Sequence, residues 1–348
     1  MSTAPLSFDP SAVLPRGLRA ALSRAGAALA RVLGPALAPS RRGAEAGAAP
    51  ARAARAAAEA ADAAPARAQD DDRPDAPRPA TGPTRLLSAG VGPRRRNLRR
   101  DVAMVQRLIN AAAAAGALPA MAGGLAVDGR WGPRTAVSLS MAQIALTGGR
   151  DGAADAGGVL IGALMAAALP RGPSMQLLRL LWPSAPAARL ERLGPKLLAM
   201  MDRRGLSEEL RAAHFLAQVG HESGQLRWLE ELASGSAYEG RADLGNDRPG
   251  DGPRFKGRGL IQLTGRANYA RFGAAMGCKA ELLADPALAA QDPCLSVETA
   301  GWFWDDAGLS RLADRDDLRG ITLRINGGLT GLVERGAMLT RAKALLGI

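Results

Sequence analysis

Acid–base chemistry in this chain centres on carboxyl groups carried by two unlike stretches. Glu222 closes the apolar run HFLAQVGHESG, which opens at His214. The spacing places it at the end of a helix whose other residues are mostly apolar. A carboxyl group lifted partly out of water there is expected to hold its proton more tightly, as a general acid requires. A structural glutamate paired with Arg258 or Arg335 would read the same way. Glu239 lies in the polar, turn-rich insert AYEGR, with Asp243 close behind it. The segment RFKGRGLIQLTGRANY then supplies Gln262, Thr264 and Asn268, uncharged hydrogen-bonding groups suited to sugar hydroxyls and acetamides. Gly257 and Gly259 are expected to let backbone approach a ligand. Leu260, Ile261 and Leu263 should face the core. Tyr269 is a candidate platform for a sugar ring, or a packing residue. The combination is that of a carbohydrate-cleaving site with two working carboxylates.

Other chemistries are poorly supplied. The chain has two histidines, His214 and His221, and two cysteines, Cys278 and Cys294. No metal site is expected from so few ligands, and HESGQ lacks the second histidine of an HExxH zinc motif. No cofactor is expected. A local disulfide between the cysteines is allowed and not demanded.

The elements that must position these groups occupy the latter two-thirds of 348 residues. Residues 1–100 carry 17 arginines and no lysine against eight acids, three-quarters of the chain's net charge of +12. Residues 14–33 repeat leucine on one helical face with arginine off it, which suits a basic amphipathic helix or a short docking helix. Residues 36–88 are too rich in Ala, Pro and Arg to bury a core and read as a linker. The basic arm, 1–88, suits contact with an anionic membrane or envelope polymer, and no nucleic-acid partner is inferred. No signal peptide is evident, and the longest apolar run, 159–169, is too short for a bilayer.

Order is expected from about residue 86. A helix over 97–110 has Val102, Val105, Leu108 and Ile109 on one face. Asp128-Gly129 makes a turn, Gly132 a bend, and Thr135 suits the start of the next helix. Breakers at 170–173 mark a boundary, and Ser174 opens the following region. Helices are expected over 187–193 and 197–204. Ser207 is expected to open a long helix through His214. A helix over 297–304 carries Trp302 and Trp304, read as core in preference to sugar platforms. A closing helix over 334–346 has Met338, Leu339, Ala342 and Leu345 inward.

The stretch around DGxxGxxT, over about 90–170, resembles the peptidoglycan-binding domain found beside many cell-wall hydrolases. From 174 onward, HFLAQVGHESG, YEGRADLGN, FKGRGLIQLTGRANY, Trp302-Phe303-Trp304 and ITLRINGG resemble, in order, glycoside hydrolase family 19, and more narrowly its bacterial and phage endolysins. The resemblance implies a mainly α, lysozyme-like two-lobed catalytic domain over 174–348, after a three-helix module over 89–172. It implies inverting hydrolysis in one displacement, with Glu222 as general acid and Glu239 as the best match for the base. Glu231 and Asp243 are the alternatives, Glu231 being read as a surface or salt-bridge residue. Thr264 matches the residue that holds the attacking water. Gln262, Asn268 and Asn326 match sugar contacts, and Arg335 matches a basic residue beside the acid. Inversion asks for carboxyl groups roughly 6.5–9.5 Å apart, or somewhat more.

The expected activity is therefore endo-acting hydrolysis of peptidoglycan between β-1,4-linked amino sugars. Chitin hydrolysis, a lytic transglycosylase using Glu222 alone, and a non-catalytic wall- or membrane-binding protein are the other readings. The chain is expected to act as a monomer, on the wall, after release or non-classical export.

Overall fold

Apolar spacing in 97–110 does form a helix, and the following alanines extend it. In the computed structural model, which describes residues 86–348, α1 runs Arg99–Ala114 and buries Val102, Val105, Leu108 and Ile109. The expected helix over 14–33 and nearly all of the expected linker lie outside the described residues. Helix α2 (Pro133–Thr147) starts with proline at its first position, and Gly148 ends it at φ 72°. Helix α3 (Val159–Ala168) packs on both. Gln106 of α1 organises the loop between α1 and α2. Its amide nitrogen donates to Asp128 Oδ1 at 3.0 Å and Thr135 Oγ1 at 3.1 Å, and its oxygen accepts from Gly129 N. Thr135 thus ties the loop to α1 and does not cap α2, whose capping position is Gly132.

Ser174 caps α4 (Met175–Leu181), its Oγ accepting from Leu177 N at 3.1 Å. The two helices expected over 187–204 are one, α5 (Ala187–Arg203), which continues through Pro195. Proline costs it a hydrogen bond. The buried stripe Leu190, Leu193, Leu197, Met200 and Met201 runs unbroken across that point and holds the helix together. Helix α6 (Glu209–Glu222) begins after Glu208 without a side-chain cap, so Ser207 does not open it.

The described residues fall into two compact units. One holds 86–228 with Trp304–Ile348, and so joins the three N-terminal helices to α4–α6 without a division at 173. Its last helices are α9 (Leu318–Asn326) and α10 (Leu332–Leu346). Helix α10 packs along α6 and also touches α4. Leu339, Ala342 and Leu345 are buried as expected, and Met338 is half-buried. Trp304 is core: its ring meets Phe215 edge-on at 5.2 Å, and its Nε1 donates to Ser310 Oγ.

The other unit is Leu229–Phe303. Helix α7 (Arg266–Ala275) and the start of α8 (Pro293–Asp306) enclose Phe255, Tyr269, Phe272, Leu282 and Leu295. Both units are mainly helical. The described residues contain three isolated antiparallel bridges outside any strand, among them Glu230–Arg258 and Arg258–Leu263. No helix among them is long and apolar enough to cross a membrane.

Candidate active site

Residues 212–220 of α6 are all buried, and Glu222 is the helix's last residue. Its side chain is 11% exposed, against 0% for Arg335 of α10. The Arg335 guanidinium donates to Glu222 Oε1 and to Gln218 Oε1. Positions 218 and 222 lie one turn apart on one helical face, so a single planar fork reaches both. Gly220 is required between them. A Cβ there would run into Trp182 Nε1 and Met338 Sδ.

The backbone reverses at once after Glu222. Gly224, Gln225 and Leu226 all have positive φ, at 56°, 59° and 65°. Two non-glycine residues in succession in that region are costly and persist only where the surroundings fix them. Here Ser223 Oγ donates to Val219 O at 2.7 Å and accepts from Leu226 N at 2.9 Å. Ser184 N donates to Gln225 Oε1, and Arg189 Nη1 donates to Leu226 O. Leu226 itself is buried. Trp228 ends the reversal and is 46% exposed. Its indole lies so close to Gly224 that a Cβ there would stand 2.7 Å from Trp228 Cδ1. Sequence reasoning did not single out Trp228; an aromatic just past the acid was the available signal.

In the other unit, Glu231 is half-buried. Tyr238 Oη donates to its Oε1 at 2.8 Å, and Gly257 N donates to its Oε2 at 3.1 Å. Burial, then the bond to Glu231, pushes the Tyr238 phenol well above its usual value, so it stays a donor. A Cβ on Gly257 would meet both Gln262 Oε1 and Glu231 Oε2, so these two side chains converge where that glycine leaves room. The ion pairs expected of Glu231 belong instead to its neighbour: Glu230 meets Lys256 at 3.2 Å and Arg258 at 3.1 Å. Gln262 is held at φ 59°, another strained non-glycine residue.

Glu239 is exposed, and its two oxygens accept from Gly250 N at 2.6 Å and Gly252 N at 2.8 Å. It pins its own loop. Asp243 pairs with Arg241, whose hydrogen bond holds the Asp243 carboxyl below its usual value. Thr264 is 3% exposed, and its hydroxyl donates to Gln262 O at 2.9 Å. That geometry shapes the turn presenting Gln262. Asn268 Nδ2 donates to Thr264 O, bracing the same turn. Tyr269 is 0% exposed, with Phe255 edge-on at 5.3 Å and its Oη donating to Lys256 O. It is a core residue, because no face of its ring is free to meet a sugar. Arg335, likewise wholly buried, acts on Glu222 and cannot reach solvent to touch substrate. Asn326 is 8% exposed at the end of α9, which Gly327 terminates at φ 68°. Gly259 serves packing: a Cβ there would collide with Thr299 of α8. Cys278 and Cys294 are separate thiols, and burial raises the Cys278 thiol to about 11.

With this geometry in view, comparison with known proteins is informative. Residues 205–313 match the family model described as chitinase class I. A glycosyl hydrolase family 19 domain-containing protein of Haemophilus influenzae is 34% identical over 168 residues, 39% of this chain and 80% of that protein. An endochitinase of Arabidopsis thaliana is 34% identical over 36% of this chain and 42% of its own length. Chitinase C from Streptomyces griseus is 27% identical over 50% of this chain and 76% of that chain, with a TM-score of 0.41. The chain thus spans less than half of the plant relative and most of the bacterial one.

Proposed function

Because the chain belongs to glycoside hydrolase family 19, we propose that it cleaves β-1,4 links between amino sugars of peptidoglycan by inverting acid–base hydrolysis. Its substrate is a chitin-like polysaccharide in the broad sense; the narrower assignment to the cell wall is the proposal. The observation that carries the mechanism is Glu222. A carboxyl group at the end of a buried helix, gripped by a buried guanidinium, is fixed in direction and still reaches solvent. It serves as the acid that protonates the leaving oxygen.

Glu231 is the better general base, in place of Glu239. Both its oxygens accept hydrogen bonds, which leaves further lone pairs for a water. It also stands beside Gln262, the residue best suited to contact sugar. Glu239 also accepts one bond on each oxygen, and both donors are backbone amides of its own exposed loop. Gln262 binds substrate amides or hydroxyls, while Thr264 and Asn268 keep its turn in place. Asn326 contributes at most a partly exposed amide. No cofactor enters the scheme.

Chitin is the second reading, favoured by the endochitinase names of the plant relatives. Digests of purified peptidoglycan and of GlcNAc oligomers test both, using wild type, Glu222→Gln, Glu231→Gln and Glu239→Gln. Wild type should release plain reducing ends from peptidoglycan, and the first two variants should lose about three orders of magnitude or more. Glu239→Gln should keep most activity. Anhydro sugar ends would replace the scheme with a lytic transglycosylase, and unaltered bacterial killing by Glu222→Gln would leave only a binding role.

A further inference from the structure

Tyr238 and Glu239 are neighbours in the AYEGR insert, and their side chains leave the backbone for different tasks. Tyr238 is buried, while residues 236, 237, 239 and 240 are all exposed. A single ring is drawn inward from an otherwise solvated turn. Phenylalanine would serve apolar burial better, since a hydroxyl taken out of water costs free energy unless it finds a partner. The partner here is Glu231 Oε1, 2.8 Å away. The chain's other tyrosine, Tyr269, gives its hydroxyl to a backbone carbonyl, Lys256 O. Tyr238 gives its hydroxyl to a carboxylate.

The segment 235–252 closes on itself around that ring. Glu239 accepts from Gly250 N and Gly252 N at the far end of the segment. Asn246, wholly buried, donates from Nδ2 to Tyr238 O at 2.9 Å and accepts at Oδ1 from Arg266 N at 2.8 Å. Arg266 Nε also donates to Asp251 Oδ2 at 2.7 Å, which ties the segment to the start of α7. A Cβ on Gly252 would stand 2.6 Å from Glu239 N and 2.8 Å from Gly235 O, so the two ends of the segment touch. The backbone that carries Tyr238 is therefore held from both sides.

Side-chain torsions leave a glutamate carboxyl free to wander unless something holds it. Gly257 N holds Glu231 Oε2, and the Tyr238 phenol holds Oε1. One donor on each oxygen fixes the plane of the carboxyl group and sets the direction of its remaining lone pairs. Burial, then the bond to Glu231, keeps the phenol protonated, so this donor does not switch off as pH rises. Direction matters at a reacting group, where a misplacement of about 1 Å can cost on the order of a hundredfold in rate.

We propose that Tyr238 is a positioning residue for Glu231, and that the loop closed by Glu239 and Asn246 holds its phenol in place. The proposal rests on Glu231 being the base. Glu239 then acts on the reaction through Tyr238, without touching substrate.

The test measures kcat and KM on the better cleaved of purified peptidoglycan and GlcNAc oligomers. It compares wild type, Tyr238→Phe, Glu239→Ala and Glu231→Gln, and combines each of the first two variants with the third. Tyr238→Phe keeps the ring and should lower kcat about thirtyfold, with KM within about twofold of wild type. Glu239→Ala changes an exposed position and should lower kcat several-fold, because the loop loosens while the hydroxyl remains. Neither change should lower kcat further in the Glu231→Gln background, since groups that act through one residue are not additive with its loss. A merely structural defect would repeat itself there. Thermal melting checks that Tyr238→Phe is folded; should it melt below the assay temperature, Glu239→Ala carries the test alone. An unchanged kcat in Tyr238→Phe, or the same fold-loss in both backgrounds for either variant, would overturn the positioning role and leave Glu231 as the base. Near wild-type kcat in Glu231→Gln would instead remove the base assignment on which the proposal stands.

Discussion

Replacing Arg335 with methionine keeps an unbranched side chain of similar reach and removes the charge facing Glu222. Exposed ion pairs are worth little, about 0–1 kcal/mol. This pair is different, with Arg335 at 0% and Glu222 at 11% side-chain exposure. Removing one partner of a buried pair costs about 3–5 kcal/mol, chiefly because the other charge stays in place. Gln218 loses its donor as well. At roughly 2–4 °C per kcal/mol for a chain of this size, Arg335→Met should lower Tm by on the order of 10 °C. Glu222→Gln alone should cost less, since a neutral amide can still accept from Arg335. In the double variant no charge is stranded, so its loss should fall short of the sum by about 2 kcal/mol. Such coupling is expected only between groups in contact. Thermal melting of the four proteins completes the cycle. A Tm for Arg335→Met within about 2 °C of wild type, or additive losses, would refute the view that Arg335 holds the acid.

Gly220→Ala should cost about 1–3 kcal/mol, as overpacking does, because the new methyl meets Trp182 and Met338; chemical denaturation measures it, and an unchanged midpoint argues against that packing. Trp228→Ala should raise KM for long oligomers roughly fivefold, about 1 kcal/mol of lost sugar contact, while kcat holds; equal effects on short and long substrates would deny it a stacking role. His214 should make stability pH-dependent. Its ring is buried, with Nε2 bonded to Asp316 at 2.7 Å. Burial outweighs the attraction of Asp316 and Asp317 and, helped by repulsion from Lys343, holds the imidazole below its usual value. The unfolded chain therefore takes up a proton near pH ~6.5 before the folded one does. Stability is full above that pH and declines as pH falls toward the folded value. Melting between pH 7.5 and 5.5 should show this slope, flattened in His214→Gln; parallel slopes would exclude His214 as the cause.

Periodicity made the helical core of this protein legible. The stripe around Val102 and Ile109 and the placement of Glu222 at a helix end follow from residue type and spacing, because burial of an apolar face dictates them. What spacing could not convey was backbone in the left-handed region. Nothing in the letters of Gln225, Leu226 or Gln262 signals positive φ, as a glycine does. Glu231 was therefore read as a surface or salt-bridge residue, although the helix ends abruptly at Glu222 and the chain reverses before reaching it. Hydrogen-bonding residues were also read as ligands when they were spoken for. Thr264, Tyr269 and Asn268 each satisfy backbone carbonyls, and a buried polar group must find such a partner whether or not a substrate exists.

The same reasoning separates the two candidate bases. A glutamate whose oxygens bind two backbone amides of one loop, as Glu239 does with Gly250 and Gly252, is doing what the loop needs in order to close. A glutamate addressed by a phenol that burial keeps protonated, beside a strained glutamine, is placed at some cost to the fold. Such local expense is found where chemistry requires it, and this is the physical ground for proposing Glu231 as the base in preference to Glu239.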